Sequence, residues 1–194
     1  MPANRLQTAA ASQAVSVSTA RDYCQVTHRD DDRLIAELIA AATRWIESRY
    51  LVAVMSQTWT LTLDDFTDSA YVRDGDIVIG RQPFGAVTSL TYIDSAGASQ
   101  TLGASAYRVT PTAAATQISP AYGTSWPQVY CVPGAVSLVY TVGAATAADV
   151  SPVVTQAILS YVLDRFENRE EALAEHVVMG MDAQMSSTGA RSYG

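Results

Sequence analysis

From Asp31 to Arg49 apolar residues recur at Leu34, Ile35, Leu38, Ile39, Ala42, Trp45 and Ile46, a spacing of three and four that draws one stripe along a helix. Arg33, Glu37, Arg44 and Glu47 fall on the opposite side, so this segment reads as an amphipathic helix over about residues 31–49. A shorter helix is expected over 19–26, where Thr19 and Asp22 have the spacing of a capping box. Thr27 and Asp30 repeat that signal before the long helix. Beyond Met55 the period falls to two: Trp59, Leu61 and Leu63 alternate with Thr58, Thr60 and Thr62, as in a half-buried strand.

Further strands are expected at 77–79, entered by Asp74, Gly75 and Asp76, at 87–94, at 99–102 after the turn residues Asp94 to Gly97, at 107–109, and at 136–142. Between Thr110 and Pro133 the chain is rich in Ala, Thr, Ser and Pro. Its run Pro120, Ala121, Tyr122, Gly123, Thr124, Ser125, Trp126, Pro127 reads as an ordered loop with rings packed on the sheet. Ser151 followed by Pro152 starts a last helix, over about 152–170, whose stripe is Val154, Ala157, Ile158, Tyr161, Val162, Arg165 and Phe166. Residues 1–15 have no period and read as a flexible arm, and 173–194 as a flexible tail that orders on docking. The fold class is therefore α+β: one domain over 16–172, its helices interrupted by an antiparallel β-rich insertion over about 56–143.

Composition narrows the function. All twelve basic residues are Arg, and nineteen Asp and Glu leave a formal charge of −7, which argues against a module that grips nucleic acid by neutralising phosphates. An acidic wall would instead let DNA slide past it. Charged residues make up only 16%, which suits surfaces that meet protein. The two cysteines, Cys24 and Cys131, are 107 positions apart without metal spacing and read as free thiols. No apolar run precedes Ala9 to Ala14 to make a secretion signal, and no stretch is long enough to span a membrane. The chain is expected in the cytoplasm until it joins an assembly.

Catalytic candidates are few. His28 and His176 are the only imidazoles. Cys24 and His28 stand four apart with no second ligand pair, Tyr122 to Trp126 lacks the second glycine of a nucleophile elbow, and Glu170, Glu171, Glu175 and His176 do not form a zinc pattern. Gly75, Gly80 and Gly85 are spaced as turns between strands, and Asp30, Asp31 and Asp32 complement a helix dipole. Trp45 and Trp59 fall on faces expected to be buried, whereas Trp126, on a loop, is a candidate interface anchor. No enzyme, cofactor or metal is expected.

An ordered set of segments carries a resemblance. Val17 to Tyr50; Gln57, Thr58, Trp59; Gln82 to Phe84 and Val87 to Tyr92; Pro120 to Pro127; Ser137 to Gly143; and Gln156 to Glu170 together resemble the head-tail connector (adaptor) proteins of long-tailed phages. The likeness runs over roughly residues 15–172. It is greatest to the subset with a β-rich insertion, found in prophages and gene transfer agents. The resemblance implies a structural, non-catalytic subunit of a virion or phage-like particle. Copies would form a ring, expected to be dodecameric, between the portal protein and a stopper or tail-completion protein, with double-stranded DNA running through it. Val177, Val178, Met179, Met181 and Met185 are expected to dock on the portal, since Met adapts to irregular grooves, and Tyr122 and Trp126 to face the tail or a neighbouring subunit. Rival readings are a tail-completion or minor tail protein and a small ligand- or carbohydrate-binding module centred on Trp126.

Overall fold

A computed structural model describes residues 2–68, 70–112, 115–130, 132–168 and 174–187. The chain divides into two compact units, one formed by Met1–Ala9 with Ser56–Gly143, the other by Ala10–Met55 with Ala144–Gly194. The single domain expected over 16–172 is thus two units, and the β-rich stretch recruits the chain's first residues.

Among the described residues the first unit holds nine strands: β1 Ala3–Thr8, β2 Gln57–Leu63, β3 Val72–Arg73, β4 Asp76–Ile79, β5 Phe84–Ile93, β6 Ser99–Thr101, β7 Tyr107–Pro111, β8 Thr116–Pro120 and β9 Val136–Val142. They form a five-stranded sheet in the order β1-β2-β9-β5-β6 and a four-stranded sheet in the order β3-β4-β8-β7, with every pairing antiparallel. β9 is the central strand. Its Val136, Leu138, Tyr140 and Val142 are all buried, and Leu138 stands opposite Leu61 on one side and Leu90 on the other. Gly85 lets β5 approach β9: a Cβ there would sit 2.7 Å from Thr141 Oγ1. Asp74 and Gly75, with φ of 53° and 84°, make the two-residue turn between β3 and β4, a conformation whose twist matches the flanking strands.

The expected arm at residues 1–15 instead contributes β1. Its sequence has no alternation to reveal it, and most of its side chains are exposed; what recruits it is the open edge of β2, with Asn4 opposite Leu61 and Leu6 opposite Trp59. β8, in a stretch where no strand was expected, pairs with both β4 and β7 and buries Thr116, Ile118 and Ser119.

The second unit is helical. α1 spans Val17–Tyr23, α2 Asp32–Tyr50, α3 Pro152–Glu167 and α4 Glu175–Ser187. Ser16, not the expected Thr19, caps α1, its Oγ accepting from the Thr19 N–H at 3.0 Å. Asp31 occupies the cap position of α2, and Asp32 in the first turn accepts two bonds from Arg21 Nη1 at 2.9 and 3.1 Å, which fastens α1 to α2. Pro152 opens α3 as the sequence suggested. The core joins Ile35, Ile39, Ala42 and Ile46 of α2 to Ala157, Ile158, Tyr161 and Val162 of α3. Part of the stretch expected as a tail is α4, whose Met181 and Met185 enter this core; residues 188–194 lie outside the described residues.

Candidate interaction surfaces

Among the described residues no group of three or more His, Cys, Asp or Glu is placed to hold a metal. Cys24 ends α1, and its thiol is pushed up by burial and secondarily by the negative charge of Glu167, away from the thiolate that nucleophilic chemistry needs. Cys131 lies outside the described residues. His28 is in the loop between α1 and α2, its ring nitrogens 3.9 Å from Asp30 and Asp31, too far for hydrogen bonds. Glu175 and His176 are exposed on the first turn of α4, while Glu170 and Glu171 lie outside the described residues.

An open cleft of about 280 Å³ is lined by Asp64, Asp65, Val129, Val132 and Pro133. Its carboxylates serve the loops around it. Asp64 Oδ1 accepts from Gly134 N at 2.9 Å, which holds its carboxyl below the usual range, and Asp65 Oδ1 accepts from the N–H and hydroxyl of Thr67 at 2.6 and 2.7 Å.

The three tryptophans are structural in different ways. Trp45 is half-buried against the helical core, tilted on Tyr161 and edge-on to Tyr50. Trp59 is half-buried too; the Arg81 guanidinium lies 4.3 Å from its ring centre and its indole N–H donates to Gln57 Oε1 at 3.0 Å. Trp126 stacks on Phe66, with centroids 4.6 Å apart and planes within 3°, and donates to Gly75 O at 2.6 Å. The expected anchor is therefore the residue that pins the loop to its own unit. The same loop is braced by Thr124, whose N–H and hydroxyl both donate to Ala121 O, and by Ala121 N donating to Ala106 O. At its tip Tyr122 is 95% exposed.

The five residues expected to dock elsewhere separate in the same way. Met181 and Met185 are buried in the helical core and Val177 packs against it, whereas Val178 is half-exposed and Met179 is 65% exposed. A helix in this position must hide one side, and the i, i+4, i+8 spacing of Val177, Met181 and Met185 supplies it.

One cluster was not legible in the sequence. Asp182 on α4 accepts from Arg49 Nε at 3.0 Å and Nη2 at 2.8 Å, and its Oδ1 also accepts from the Tyr50 hydroxyl at 2.7 Å. Burial, and then the bond to Asp182, push the Tyr50 phenol up to about 12. The Arg49 guanidinium is held charged by the same carboxylate. A separation of 133 positions leaves no local signal for such a pairing.

No family model matches the sequence, and neither does any curated protein. Solved structures do match, over almost the full length of both chains. A chain from the neck of an empty gene transfer agent (GTA) particle computed with C6 symmetry superposes with a TM-score of 0.79 at 23% identity, covering 99% of this chain and 96% of that one. One from the virion of a native GTA particle gives 0.75 at 24% identity, covering 98% and 96%. A third, from the neck of a native GTA particle computed with C12 symmetry, gives 0.75 at 22% identity over 99% and 96%. At such identities the likeness is one of fold, and it takes in both units and their order along the chain.

Proposed function

We propose that this chain is a structural subunit of the neck of a phage-like particle, a head-tail connector whose copies close into a ring between the portal and the stopper or tail-completion protein. The observation that carries the reading is the full-length match, at a TM-score of 0.79, to a chain of a gene transfer agent neck, with both chains covered almost completely. Neighbours computed with C6 and C12 symmetry support a ring, and twelve copies are the expected number. A net charge of −7 suits a wall past which double-stranded DNA slides without sticking.

Within that reading, Tyr122 is the contact toward the tail or the next subunit. The exposed side of α4, with Val178 and Met179, faces the portal. Met181 and Met185 support that surface from inside. The subunit catalyses nothing and needs no cofactor. Ligand recognition by Trp126 is not favoured, because its stacked face and its N–H are both engaged within its own unit.

Deleting the gene from a producing strain tests the role. DNA-filled heads and free tails should accumulate unjoined, and a plasmid copy should restore joining. Complete particles without the protein would refute the assignment.

A further inference from the structure

We draw no further inference here: the strongest candidate, the uncharged face of the five-stranded sheet on which half-exposed Thr58, Thr60 and Thr62 of β2 stand opposite Thr141, Val139 and Ser137 of β9, is a surface for which nothing in the structure shows what covers it.

Discussion

Trp126 and Tyr122 stand four positions apart in one loop and do opposite things. Trp126 contributes a stacked pair and an indole hydrogen bond to its own unit, so Trp126→Ala should cost about 2 kcal/mol, roughly 1 for each. Tyr122→Ala removes an aromatic ring that touches almost nothing, so the urea midpoint should stay put while subunit or partner association weakens. Equal losses of stability in the two variants would contradict this division. Asp164 of α3 is a second residue whose surroundings make a claim. It is 7% exposed, and among the described residues no donor reaches its Oδ2. A buried carboxylate oxygen without a partner is costly, so Asp164→Asn should be neutral or stabilising by up to about 2 kcal/mol in urea denaturation. A clear loss would show that Oδ2 is satisfied from residues outside those described.

At the scale of elements, α4 hangs on the Asp182 node and two methionines, and the node has a pH limit. Tyr50 donates to Asp182 only while protonated. Its phenol is raised in the folded chain to about 12 from an ordinary value near 10, so its contribution is complete below pH about 10 and is lost as pH rises through about 12. Tyrosinate absorbance should therefore include one phenol that ionises late, and Asp182→Asn should bring it earlier; a titration unchanged in that variant would contradict the link. Which elements were legible follows from where their stabilisation lies. α2 and α3 bury a stripe of their own sequence, and β9 alternates because one of its two faces is buried; periodicity reports such burial directly. β1 and β8 do not show because neighbours' edges recruit them: Arg5, Leu6, Gln7 and Thr8 are exposed, and β8 ends in a proline within a tract rich in Ala and Thr. α4 has helical spacing at Val177, Met181 and Met185, yet Gly180 and the polar positions around them mask it.

At the scale of the molecule, the sequence offered order and composition, and the fold comparison speaks to the first of them. A helical unit split by a β unit, in the same order over 99% of the chain, accompanies a net charge of −7 and, among the described residues, no group of three or more His, Cys, Asp or Glu placed to hold a metal. What sequence could not show was how these side chains are engaged, because Tyr122 and Trp126 look alike until one is seen stacked, and Arg49 and Asp182 are joined only by folding. The central claim is that this chain is made to close on itself. Electron microscopy of the purified protein over a range of concentrations tests it most directly. Closed rings of about twelve copies with an open channel are the predicted result, in keeping with the C12 neighbour; particles that remain single subunits at every concentration would contradict it.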